Sequence, residues 1–140
     1  MHGLGLLEVV HVLEMVGVSA RARQRCPLPF AWRWFAHADF LGVLGKGASN
    51  RAVSRVLRSK AAPGLRVLGA RTFGPLDRLL PDLRRSDHAP FWDRGLPAVM
   101  WTDTADFRNP HYHRFSDQPQ TLDFDFMQQV LALLVGALEA

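Results

Sequence analysis

Two short segments concentrate the side chains able to hold a metal or move a proton. One is Arg85-Ser86-Asp87-His88-Ala89-Pro90-Phe91-Trp92, and the other is Asn109-Pro110-His111-Tyr112-His113-Arg114-Phe115-Ser116-Asp117. Both set His, Asp and aromatic residues between turn formers, the composition of loops that carry chemistry on a rigid scaffold. His111 and His113 are two apart. In an extended loop they point the same way, so one cation could meet both; the alternative is two loop histidines hydrogen-bonded to neighbours. Asp117 is placed to hold the ring of His113 through its free N–H, an arrangement that fixes the tautomer of a metal-bound imidazole. Asp87 opens a short helix, where the N-terminal dipole favours a carboxylate. It reads either as a cap or as the lining of a site.

A third candidate is Glu14, set in the otherwise apolar run from Val9 to Gly17. A buried carboxylate costs several kcal/mol, of order 2 or more, unless it is paired or metal-bound. The alternative is a strand-end group facing water or an arginine. Asp103 and Asp106 could also act, but acidic loop residues are usually just solvated.

The elements that must position these residues follow from periodicity and punctuation. Residues 9–17 are rich in β-branched types and read as a buried strand with Glu14 near its end. Residues 39–45, 65–69 and 97–102 read as further strands. Ser49 or Asn50 starts a helix running to about Ser59, and Pro63-Gly64 breaks it. Residues 70–86 are loop-like, with Leu79-Leu80-Pro81 as an anchor. Ser86 or Asp87 caps a helix over 88–94, stopped by Gly95. An amphipathic helix over 124–138 closes the chain. Residues 18–38 form a long loop or a short helix packed by Phe30, Trp32, Trp34 and Phe35. Alternating strands and helices predict an α/β fold, with helices covering a mostly parallel or mixed sheet and ligands gathering at the carboxyl ends of strands.

Composition limits the alternatives. A chain of 140 residues, 48% hydrophobic and 21% charged, is one globular domain and not a disordered segment. The net charge of +4 comes from scattered arginines, and the run Arg21, Arg23, Arg25 lies in no nucleic-acid-binding motif, so no nucleic-acid partner is expected. Cys26 is the single cysteine, which excludes an internal disulfide. No basic n-region precedes the apolar N-terminus, and no stretch reaches the ~20 apolar residues of a membrane span. The expectation is a cytoplasmic chain with no membrane partner.

With these residues in view, the chain resembles the zinc-dependent aminopeptidases of clan MH, a family that includes the glutaminyl cyclases. The carriers are Leu13-Glu14-Met15-Val16-Gly17, Ser86-Asp87-His88-Ala89-Pro90-Phe91-Trp92, Gly95-Leu96-Pro97-Ala98, Thr102-Asp103-Thr104, Phe107-Arg108-Asn109-Pro110-His111-Tyr112-His113, Ser116-Asp117 and Thr121-Leu122-Asp123. The resemblance implies a three-layer αβα sandwich around a twisted mixed sheet. It also implies a zinc site, with two ions in most members and one in the cyclases, that removes residues from peptide N-termini. On that reading Glu14 and His113 are metal ligands, Asp87 lines the pocket, and His111, Tyr112 and Asp117 are neighbours of the site.

The sequence departs from the family pattern in one large respect. The family's first half carries a His-x-Asp pair and then a Glu-Glu pair, the source of further ligands and of the general base. No His-x-Asp precedes Glu14, and no Glu-Glu occurs. Residues 1–140 therefore read as the C-terminal portion of one zinc-peptidase-like domain, lacking its N-terminal half and its base. The resemblance implies a metallopeptidase-type hydrolase whose isolated chain is inactive, with a peptide substrate only where a partner chain or a homodimer completes the site. The second reading is a non-catalytic interaction module that folds as a dimer or with a partner. A third, a basic binding module, predicts salt-sensitive retention on nucleic acid. Aminopeptidase, carboxypeptidase and cyclase types are not separated by these residues.

Overall fold

The structure is a computed structural model that describes residues 8–25 and 37–139. Cys26, Phe30, Trp32, Trp34 and Phe35, singled out in the sequence, lie outside the described residues. Four strands form one sheet: β1 (Val10–Leu13), β2 (Phe40–Lys46), β3 (Arg66–Thr72) and β4 (Ala98–Thr102). The helices are α1 (Asn50–Arg58), α2 (Leu76–Leu79), α3 (His88–Asp93) and α4 (Phe124–Leu138). The sheet order is β1-β4-β2-β3. It is mixed: β1 runs parallel to β4, β2 runs parallel to β3, and an antiparallel β4–β2 pairing joins the two halves. The carboxyl ends of β1 and β4 therefore share an edge with the first residue of β2. No helix among the described residues is long and apolar enough to cross a membrane.

Side-chain alternation splits the sheet into two apolar faces. Leu41, Val43, Val99 and Trp101 pack against Val53 and Val56 of α1 and Phe126, Val130 and Leu133 of α4. The α4 cap is the Asp123 carboxylate, which accepts the Phe126 N–H at 2.9 Å and so satisfies one of the orphan donors of the first turn. Close approach holds this layer together. A Cβ at Gly45 would lie 2.5 Å from Val53 and 3.1 Å from the Ser49 carbonyl oxygen.

The other face carries Phe40, Gly42, Leu44, Leu68, Ala70, Met100 and Thr102. It is bounded by residues 80–85 and by the loop after β4. A buried charge cluster fixes the first of these. The Asp77 carboxylate, with no exposed side-chain surface, takes Lys46 Nζ at 2.6 Å and Arg84 Nη1 at 2.5 Å, and Arg84 also reaches Asp93 at 2.7 Å. Burial raises the Asp77 carboxyl, but the hydrogen bonds and charges of Lys46 and Arg84 outweigh it and hold the group below its ordinary value. These bonds make residues 73–84 ordered, where the sequence predicts a plain loop. β3 extends to Thr72 through its pairing with Lys46, α2 follows, and Pro81–Arg84 forms a 3-10 turn.

Two further expectations are corrected. The first strand stops at Leu13 rather than at Gly17. Met15 takes a positive φ of 54°, and the N–H groups of Gly17 and Val18 turn away from the sheet to the Asp103 carboxylate. Asp87 precedes α3 but makes no side-chain cap bond. The Ser86 carbonyl accepts the Ala89 N–H instead, at 3.0 Å.

Candidate functional site

Glu14 leaves β1 at its carboxyl end, where its own N–H donates to the Trp101 carbonyl at 2.9 Å. Its half-buried side chain lines a cavity of about 260 Å³ over the second face of the sheet. The cavity floor is apolar, formed by Phe40, Leu44, Leu68, Ala70 and Met100, with Leu80 and Leu83 above it. Its polar lining comes from Glu14, Asp82, Arg85, Thr102, Thr104, Asp106 and Tyr112. Such a cleft, mostly apolar with a few convergent polar groups, is the usual form of a small-ligand site.

The charges of that rim are unequally committed. Arg85 donates to Asp106 at 2.9 Å and to Asp82 at 3.3 Å. Arg25 adds a second donor to Asp106, at 2.8 Å to its carbonyl. Among the described residues Glu14 accepts only from the Ser86 hydroxyl, at 3.3 Å, long for an O–H···O bond. Its carboxylate is the acceptor left with capacity to take a cation or a protic group from a ligand.

Asp103 holds the rim in place. Its Oδ2 accepts from Gly17 at 3.1 Å and Val18 at 2.8 Å, and its Oδ1 accepts from Ala105 at 2.9 Å. The loop after β1 and the loop after β4 are thereby stapled through one carboxylate. Burial pushes Asp103 up to about 6, despite those three donors and the nearby Arg108 charge. Arg108 is also buried: burial lowers it to about 10, against the pull of Asp103 and Asp39. Its Nε donates to Gln24 at 2.9 Å, its Nη1 donates to the Val18 carbonyl at 2.9 Å, and its guanidinium lies 4.7 Å from the Phe40 ring centroid. Asp103 is thus a buried brace, where the sequence predicts a solvated loop acid. The signal that could have found it is the Thr102-Asp103-Thr104 segment directly after an all-apolar strand.

His88 does structural work. It is fully buried, its Nε2 lies 2.8 Å from the Leu83 carbonyl, and its ring meets Trp92 edge-on at 4.4 Å. A carbonyl partner makes Nε2 the protonated nitrogen, and burial keeps the imidazole neutral by lowering its pKa. It ties α3 to the Pro81–Arg84 turn beneath the cavity wall.

The second His-bearing segment is a turn and not an extended loop. Arg114 donates its N–H to the His111 carbonyl at 2.9 Å, and His113 takes a positive φ of 55°. The alternation that would aim both rings at one cation is therefore lost. His111 Nδ1 pairs with the Ser116 hydroxyl at 3.0 Å. His113 is exposed and stacks on Tyr112 with ring centroids 4.0 Å apart. Asp117 makes no hydrogen bond to His113; its N–H donates to the Arg114 carbonyl at 3.0 Å. Asp87 is exposed at the start of α3. Of the six site residues read from the sequence, the cavity lining brings together Glu14 and Tyr112, while Asp87, His111, His113 and Asp117 stand outside it.

Catalytic zinc takes about three protein ligands and a water. Among the described residues no group of three or more His, Cys, Asp or Glu side chains is placed to share a cation. The described residues do not by themselves make a zinc site.

No family model matches the chain. Its sequence is similar to that of YfbL, an uncharacterized protein of Escherichia coli strain K12, with 33% identity over 129 residues. That alignment takes in 89% of this chain and 39% of the relative. Its fold is similar to that of the LapA aminopeptidase of Legionella pneumophila, with a TM-score of 0.53 and 18% identity, over 93% of this chain and 29% of that one. The chain spans well under half the length of either protein. Among the described residues, the mixed sheet of four strands with four helices is an α/β fold similar to part of that aminopeptidase's fold.

Proposed function

We propose that this chain forms the C-terminal portion of a zinc-aminopeptidase-type hydrolase and supplies part of its site. Glu14 and His113 contribute two metal ligands. Tyr112 lines the cavity with Glu14, whereas Asp87, His111 and Asp117 stand outside it with His113, and the remaining ligands and the general base come from outside the described residues. The substrate is a peptide whose N-terminal residue presents a bulky apolar side chain to the cavity floor. One observation carries this reading: Glu14, held at a strand's carboxyl end by a single long hydrogen bond from Ser86, lines the same cavity as Tyr112, the residue next to His113. The likeness of the fold to an aminopeptidase supports it.

Zinc titration by calorimetry tests it on the purified chain and on a Glu14→Ala, His113→Ala double variant. The expected result is weak binding that the double variant loses. Unchanged affinity would overturn the ligand pair. A panel of aminoacyl chromogenic substrates, assayed with added zinc, should give no turnover by the chain alone.

The absence of a three-residue ligand cluster among the described residues favours a second reading, a non-catalytic module that works through a partner. Turnover by the chain that His113→Ala abolishes would refute that second reading.

A further inference from the structure

α4 is apolar on two sides. Phe126, Val130, Leu133 and Ala137 face the core. A second row, Phe124, Gln128, Leu131, Val135 and Leu138, faces out, and its apolar members are 62%, 58%, 45% and 62% exposed in chain order. The spacing of this outer row is +4, +3, +4, +3, the d-a-d-a-d pattern of a coiled-coil seam. From 124 to 139 the only charged residues are Asp125 and Glu139, so nothing on the row resists burial except Gln128. A helix that is apolar nearly all round belongs between two layers. Here the second layer is missing among the described residues, which leaves the outer apolar row of α4 uncovered there.

We propose that this outer row of α4 pairs with the same row of a second copy of the chain, antiparallel about a two-fold axis at Leu131. The row is nearly its own mirror image. Measured from Leu131, Phe124 and Leu138 stand seven residues to either side, while Gln128 and Val135 stand three and four away. Reversal superimposes the outer positions and offsets the inner pair by one residue, so that each fits between its neighbours as knobs fit holes. Antiparallel packing also opposes the two helix dipoles. The exposed parts of the four apolar side chains amount to roughly 400 Å² per copy, or roughly 800 Å² for the pair, about half of a standard stable interface and in the range of weak, transient contacts. The seam therefore forms a reversible dimer, and Gln128, a polar residue at an a position, holds the register at a cost in affinity.

Sedimentation velocity across a concentration series tests this. The average mass should rise from one chain to two between low and high micromolar protein. Leu131→Glu should stay monomeric throughout with an unchanged circular dichroism spectrum, because its side chain is mostly exposed; Val135→Lys serves if that variant does not fold. Gln128→Leu should lower the midpoint concentration at least tenfold. In a Cys26→Ser background, L131C should be linked to a dimer by a short bismaleimide reagent. L138C should not, since seven residues on each side of the axis separate the two thiols by roughly 21 Å. A chain monomeric at every concentration overturns the proposal. So does a dimer indifferent to Leu131→Glu, and so does equal crosslinking of L131C and L138C, which would mean a parallel seam.

Discussion

Asp103 offers the most demanding test of how the site rim is built, through the substitution Asp103→Asn. The wild-type carboxylate gathers three backbone N–H donors on two oxygens. An amide keeps one oxygen, best placed where Gly17 and Val18 donate, and then points its NH2 group at the Ala105 N–H. One bond is lost and two donors face each other, a cost of about 1–3 kcal/mol. The variant also escapes a penalty. Burial holds Asp103 near 6 against its ordinary 3.8. A group whose pKa is raised by folding contributes stability that is complete below its unfolded pKa and is lost as pH rises through its folded pKa. About two units correspond to about 3 kcal/mol over the whole range, of which about 1 kcal/mol is lost between pH 5 and pH 7. Asn does not titrate and shows no such loss. His11 and His88, both lowered by burial, work in the opposite direction, losing stability as pH falls, but they are common to both proteins and cancel in the difference. Urea unfolding of both proteins at pH 5 and pH 7 measures the effect. The deficit of Asp103→Asn should be about 1 kcal/mol larger at pH 5. A deficit independent of pH would show that Asp103 titrates at its ordinary value. One that grows toward pH 7 would show that the N–H donors and Arg108 outweigh burial, and the reasoning would fail.

Further predictions concern the two faces of the sheet. Asp77→Asn leaves Lys46 and Arg84 without their shared buried partner. It should destabilise by about 3 kcal/mol, the low end for breaking a buried pair because both cations keep about a fifth of their exposure, as read from the urea midpoint. Wild-type stability owed to Asp77 should fall only as pH drops through the depressed folded pKa, below the ordinary carboxylate range, so the Asp77→Asn deficit should shrink under acid conditions. Gly45→Ala drives a methyl into Val53 and the Ser49 backbone, which cannot both move. It should lower stability by about 2 kcal/mol, with a thermal melt as the check.

Much of the fold was legible because apolar periodicity and punctuation are local. The run from Phe124 to Leu138 read directly as a helix, and the structure begins and ends α4 at those two residues. The strand positions around residues 40, 66 and 98 were likewise readable from short apolar runs bounded by Gly or Pro. Residues 70–86 were not, because α2 and the Pro81–Arg84 turn depend on Asp77 finding Lys46, 31 positions away, and no local pattern encodes that partner.

The sequence by itself determined the residue types of the site, the α/β class, and the presence of a carboxylate near a strand end, since these follow from side-chain chemistry and periods of two and 3.6 residues. Tertiary structure alone decided the rest. It placed Glu14 and Tyr112 on one cavity and turned the His111–His113 segment so that the two rings do not share a direction. It also buried Asp103 as the brace between two loops 85 residues apart. The physical reason for the last lies in the backbone. Backbone donors left over where β1 and β4 end had to find acceptors, and the chain bent until they did.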